Sequence, residues 1–95
     1  GNFVHLYYNE EVGLYVAYGL SAYLVCRIID PISSYSEAMQ MPVVLLNKHQ
    51  VHQCRLSLQK IKHNQHGYYQ FQMSIAIPMD DDYINWAANL KNKCV

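Results

Sequence analysis

Ninety-five residues suffice for one domain built on one core, and leave little room for a second domain or a deep enclosed cavity. Seven basic side chains balance seven acidic ones, so the chain lacks the basic excess that drives binding to nucleic acid or to anionic membranes. Apolar runs are too short or too interrupted for a membrane span: even Leu14 to Ile29 contains Gly19, Ser21 and Arg27.

Phe3 to Tyr8 is an apolar and aromatic run bounded by Asn2 and Asn9-Glu10-Glu11, and it reads as a first strand, with Gly13 helping the chain turn back. Leu14 to Ile29 allows strand or buried helix. Its tyrosines, valines and leucines favour strand, and the break at Gly19 and Ser21 predicts two strands or one long strand bent at a bulge. Asp30-Pro31 ends the segment. Ser34-Tyr35-Ser36-Glu37 has the form of a helix-capping box ahead of Ala38, Met39 and Met41, and Pro42 leaves room there for one helical turn or a structured loop.

From Pro42 to Pro78 the pattern predicts three consecutive antiparallel strands. Val43 to Leu46 is a short apolar run and Asn47 to Gln50 is turn-like. Val51 to Ile61 then alternates Cys54, Leu56 and Leu58 with polar residues. Lys62 to Gly67 reverses the chain into Tyr69, Phe71, Met73, Ile75 and Ile77, again alternating. Beyond Pro78, Asp80-Asp81-Asp82 precede Tyr83, Trp86, Ala87, Leu90 and Cys94 at helical spacing, with Lys91 and Lys93 at the far end; the charges match the dipole of a C-terminal helix. The expected fold is mainly β: a small antiparallel barrel or strongly curved sheet, closed by that one helix, in a single domain over residues 1–95.

Residues that could carry chemistry are few. His49-x-x-His52 and His63-x-x-His66 look like paired metal ligands, but zinc needs three or four ligands converging on one point. Placed at opposite ends of an extended Val51 to Ile61, the pairs stand roughly 35 Å apart, so no metal and no cofactor is expected. His52 and Cys54 would share a strand face with Leu56 and Leu58, which makes Cys54 inert core rather than a nucleophile. The acidic triplet lacks the alternation of a calcium loop, and the four glycines are isolated, so no phosphate-cradling loop occurs. Trp86, Met39 and Met41 read as core. Three widely spaced cysteines without a CxxC point to free thiols in a reducing cytoplasm. The start at Gly1, with neither methionine nor a signal-like segment, is expected of a domain excised from a longer chain.

The order of a strand pair, a serine-bearing stretch, a meander and an amphipathic C-terminal helix resembles that of PilZ-type domains, over about Phe3 to Leu90. That resemblance implies a six-stranded barrel and a regulatory role in a bacterial cytoplasm, through cyclic di-GMP in members that keep the binding motifs. Gly19-Leu20-Ser21-Ala22-Tyr23-Leu24 falls where the family's Asp/Asn-x-Ser-x-x-Gly motif would lie, and only Ser21 matches. The family's Arg-x-x-x-Arg motif is missing, since Arg27 and Arg55 are the only arginines, and a lysine replaces a guanidinium fork poorly. Ser21 is thus the candidate ligand-binding residue of a site whose nucleotide binding is lost. The function expected is non-catalytic: a regulatory or protein-interaction module. The alternatives are an unrelated α+β interaction or dimerisation domain of a larger or viral protein, and a small enzyme using Cys54 and a histidine. Nine tyrosines are spread through the chain. Each pairs a broad apolar ring with a polar tip, so Tyr15, Tyr18, Tyr23 and Tyr68 are candidates for contact with a protein partner, an adjacent domain or a second copy of the chain.

Overall fold

A computed structural model describes residues 3–63, 67–73 and 81–93. In chain order the elements are β1 (Phe3–Asn9), β2 (Leu14–Tyr18), α1 (Gly19–Cys26), β3 (Ile32–Ser36), β4 (Met41–Leu46), α2 (Lys48–Ser57), β5 (Leu58–His63), β6 (Tyr68–Met73) and α3 (Asp81–Lys93). The strands form one antiparallel sheet in the order β3-β4-β2-β1-β6-β5. Its edges β3 and β5 do not meet, so the sheet is open. The expected mainly-β barrel with one helix is therefore corrected to an α+β fold with three helices, and the barrel that the PilZ resemblance implies is not formed.

Three local departures account for the difference. Gly19 stands at φ +56°, a conformation open to glycine at little cost; there the chain leaves β2 and enters α1 instead of bending into a second strand. Gly19 and Ser21 through Val25 are all buried. A helix that is apolar all round has no polar face for periodicity to detect, so its sequence reads equally well as strand. The second departure is α2, where an extended Val51 to Ile61 was expected. Asn47 and Gln50 cap its start reciprocally: the Gln50 N–H donates to Asn47 Oδ1 at 2.8 Å and the Asn47 N–H to Gln50 Oε1 at 2.9 Å. Val51 and Cys54, three residues apart, then face the core together. Third, Ser34-Tyr35-Ser36-Glu37 opens no helix. Ile32–Ser36 pairs with β4 as an edge strand, and the Ser36 hydroxyl accepts from the Met39 N–H at 3.1 Å within the turn to Met41. By contrast, β1, β4, β6 and the position of α3 agree with expectation, while Ser74 to Asp80 lie outside the described residues.

Register sorts the strand residues into two faces, because directly opposed residues share a side and neighbours alternate. Val4 and Leu6 of β1 lie level with Ala17 of β2, Val44 and Leu46 of β4 and Phe71 of β6. They join Ala22 to Val25 of α1 and Val51 and Cys54 of α2 in one buried cluster, with Tyr83 and Trp86 of α3 packed against it. All three helices thus pack on the same face. The molecule is a two-layer slab, 19 Å across its shortest dimension, about the depth of a sheet and one helix layer.

Gly67 stands at φ +79°, and a Cβ there would lie 2.5 Å from Tyr8 Cβ; at Gly19 the nearest atoms, the Tyr83 hydroxyl and the Met41 sulfur, are at 3.6 and 3.7 Å. Gly67→Ala is therefore expected to cost roughly 2–4 kcal/mol, a conformational penalty of about 1–2 plus overpacking. Gly19→Ala should cost only about 1–2 kcal/mol, the conformational part alone. Urea unfolding of both variants checks this; equal losses would mean that the chain does not approach Tyr8 so closely at Gly67.

Candidate functional site

The four tyrosines singled out in the sequence fall in three places. Tyr23 is enclosed in the core, with its ring 5.6 Å from Tyr83 and 5.4 Å from Trp86, so it presents no contact surface. Tyr18 and Tyr68 share the helix-free face with Tyr7. The Tyr7 ring centroid lies 6.4 Å from Tyr18 and 5.2 Å from Tyr68, and the Tyr68 hydroxyl meets His5 Nδ1 at 2.7 Å. Tyr15 lies on the opposite, helix-covered face. There its ring packs edge-on to Tyr8 at 5.0 Å and to Tyr69 at 5.5 Å, and Tyr69 stacks on Phe71 at 5.9 Å. The central strands β2, β1 and β6 thus carry an aromatic strip on each side.

The helix-free face is apolar well beyond its tyrosines. Leu14 and Val16 of β2, Met41, Val43 and Leu45 of β4, Ile32 of β3 and Phe3 of β1 share it by register. Phe3, Tyr7 and Ile32 are 38%, 46% and 66% exposed. No Asp, Glu, Lys or Arg occurs among the residues that β1, β2, β3 and β4 place on it. Sequence reasoning found Tyr18 and Tyr68 but missed Tyr7, Ile32 and Phe3, because only the strand pairing brings these residues onto one side.

A second feature lies on the covered side, between α2 and the sheet. A cleft of about 330 Å³ is lined by Tyr15, Lys48, Val51, His52, Arg55 and Tyr69. Val51 is buried, whereas Lys48, His52 and Arg55 are exposed. Burial, followed by the hydrogen bond to the Tyr69 side chain, pushes the Tyr15 phenol above its usual range, so it is neutral at physiological pH.

Ser21 belongs to neither feature. Beyond Val16, β2 no longer pairs with β1 and soon turns into α1, and the His5 N–H on that side of β1 donates instead to Ser21 Oγ at 3.0 Å. Ser21 is buried, and its hydroxyl supplies β1 with an acceptor where β2 has left the sheet. Cys54 and His52, expected on one strand face, lie two apart on α2 and diverge: Cys54 is fully buried and His52 is exposed. Burial pushes the Cys54 thiol up to about 11, the reverse of what an activated nucleophile needs. Among the described residues no group of three or more His, Cys, Asp or Glu side chains is placed to hold a metal ion, and His66 lies outside them. No described helix is long and apolar enough to cross a membrane. No family model, no curated protein and no solved structure matches the chain.

Two measurements check these assignments. Ser21→Ala leaves a part-buried N–H without its acceptor and should lower stability by roughly 1–3 kcal/mol; an unchanged unfolding midpoint would show that the hydroxyl does not hold β1. For Cys54 the raised folded value fixes the sign of the pH dependence. Below about pH 9 the thiol is protonated in both states; between about 9 and 11 only the unfolded thiol ionises, so stability falls as pH rises, by up to about 1.4 kcal/mol per unit. Cys54→Ala should flatten the slope between about pH 9 and 11 in chemical denaturation, and an unaltered slope would place the thiol in water.

Proposed function

We propose that this chain is a non-catalytic α+β interaction domain that pairs with a second copy of itself through the helix-free face of its sheet. The observation that carries the reading is the composition of that face over β1 to β4: rich in aromatic and aliphatic residues, without a charged one, and covered by none of the described helices, the register placing Lys62 of β5 only at its far edge. Interface cores are depleted in charge and enriched in tyrosine, phenylalanine and methionine. Contiguous apolar patches of this kind mark association surfaces more often than inert ones.

Size and charge favour a second copy as the occupant. Five strands about 4.8 Å apart and about 20 Å long span roughly 500 Å² in projection. With the relief of the side chains this compares with the ~600 Å² per partner at the lower end of specific interfaces. The β1 to β4 part of the face, without fixed charge, offers nothing to steer a charged partner, and two copies of it meet without repulsion, as a two-fold interface requires. The free thiols of Cys26 and Cys54 accord with work in a reducing compartment such as the cytoplasm.

Sedimentation equilibrium at tens of micromolar protein should give twice the 11.1 kDa chain mass. Tyr7→Lys puts like charges at the centre of the joint and removes an aromatic anchor. It should weaken pairing by about 2 kcal/mol or more, roughly thirty-fold in Kd, with the far-ultraviolet circular dichroism unchanged. A monomeric wild type, or a Tyr7→Lys dimer of undiminished affinity, would overturn the reading.

A further inference from the structure

The cleft beneath α2 has two unlike walls. Lys48, His52 and Arg55 stand at positions i, i+4 and i+7 of one helix, which sets them in a single stripe along its surface. All three are exposed, and none makes a hydrogen bond or ion pair among the described residues. Among the described residues no acidic side chain lines the cleft. In a chain whose charges balance overall, two fixed cations and an imidazole are therefore gathered at one concavity with no carboxylate among its described lining residues. The facing wall is aromatic: Tyr15 and Tyr69 from β2 and β6, their rings 63° apart, with Val51 at the base.

We propose that this cleft binds a small ligand combining a phosphomonoester with a flat ring. The phosphoryl group sits among Lys48, His52 and Arg55, and the ring lies against Tyr15 and Tyr69. A phosphomonoester carries a charge of about −1.5 to −2 and three acceptor oxygens, which three donors can share, the guanidinium of Arg55 in bidentate fashion. A carboxylate, with a single charge, balances only one of the two fixed cations, whereas a phosphomonoester balances most of both. The volume, about 330 Å³, lies at the lower end of the range for small-molecule sites. It admits a ring and one phosphate, whereas a nucleic-acid strand needs a longer track. The donors also rim a hollow instead of projecting from a convex surface, which favours a discrete ligand over a lipid bilayer. The site is on the covered side of the sheet and does not depend on self-pairing through the other face.

The test is a two-dimensional 1H–15N titration of the full chain with phenyl phosphate, set against inorganic phosphate, benzoate and phosphatidic acid vesicles. Phenyl phosphate should give saturable shifts at Val51 to Arg55, Tyr15 and Tyr69, with an affinity at least about fivefold above that of inorganic phosphate or benzoate. The double variant Lys48→Gln, Arg55→Gln, whose exposed positions leave the core untouched, should lose at least about tenfold in affinity with the spectrum otherwise folded. Absence of saturation by about 10 mM, benzoate binding as well as phenyl phosphate, or undiminished binding by the double variant would each overturn the proposal. Inorganic phosphate matching phenyl phosphate would overturn the aromatic half of the site, and vesicle binding without saturation by phenyl phosphate would replace the discrete ligand with a membrane surface.

Discussion

At Gly19 the chain turns out of the sheet with φ +56°, and the apolar helix begun there decides which side of the sheet is dry. Leu24, Val25 and Ala22 must be removed from water, and they are removed by packing on Val4, Leu6, Val44 and Phe71. At about 25 cal/mol per Å² of apolar surface, this burial is what holds α1 on the sheet. Because α1 occupies the middle of that face, α2 and α3 complete the layer beside it, and the sheet remains one-sided. Two more features arise from the same turn. Strand β2 stops short of the full length of β1, so Ser21 supplies the acceptor that a longer strand would have provided. The helix-free face keeps its apolar residues with none of the described helices over them.

The two faces therefore serve different ends with similar residues. On the covered side, Tyr8, Tyr15, Tyr69 and Phe71 run into the core at one end and line the α2 cleft at the other. On the helix-free side, Tyr7, Tyr18, Tyr68 and His5 form a strip with polar tips and apolar rings, flanked by aliphatic residues of β3 and β4. Val16 illustrates the difference. It lies on the helix-free face and yet is 5% exposed, sheltered by the larger side chains around it, Tyr7 and Leu45 being its direct cross-strand neighbours. Val16 thus adds little to association, whose gain comes from the exposed Tyr7, Ile32 and Phe3 around it.

Much of the fold was legible in the sequence where one side of an element is polar. Bounded apolar runs marked β1 and β4, alternation marked β6, and the Asp-to-Lys polarity with helical spacing marked α3. It failed where periodicity carries no information or fits two answers. Helix α1 is apolar all round, and Val51 to Ile61 satisfies a two-residue alternation and a three-residue spacing at once. The deciding signal in the second case was the Asn47–Gln50 capping pair, read as a turn, while the similar Ser34–Glu37 pattern belongs to an edge strand. The sites were harder still. The Lys48, His52 and Arg55 stripe becomes visible only once α2 is known to be a helix. The gathering of Phe3, Tyr7 and Ile32 depends on long-range strand pairing, which no local pattern states.

The role proposed for the helix-free face depends on its being an interface between two copies of this chain. Isotope-filtered nuclear Overhauser spectra of an equimolar mixture of labelled and unlabelled protein observe that contact atom by atom. Cross-chain effects should connect the rings of Tyr7, Tyr18 and Tyr68 with the methyl groups of Leu45 and Ile32, and leave Tyr15 and Tyr23 silent. Cross-chain effects confined to the exposed side of α3 around Ile84, or none at all, would contradict it.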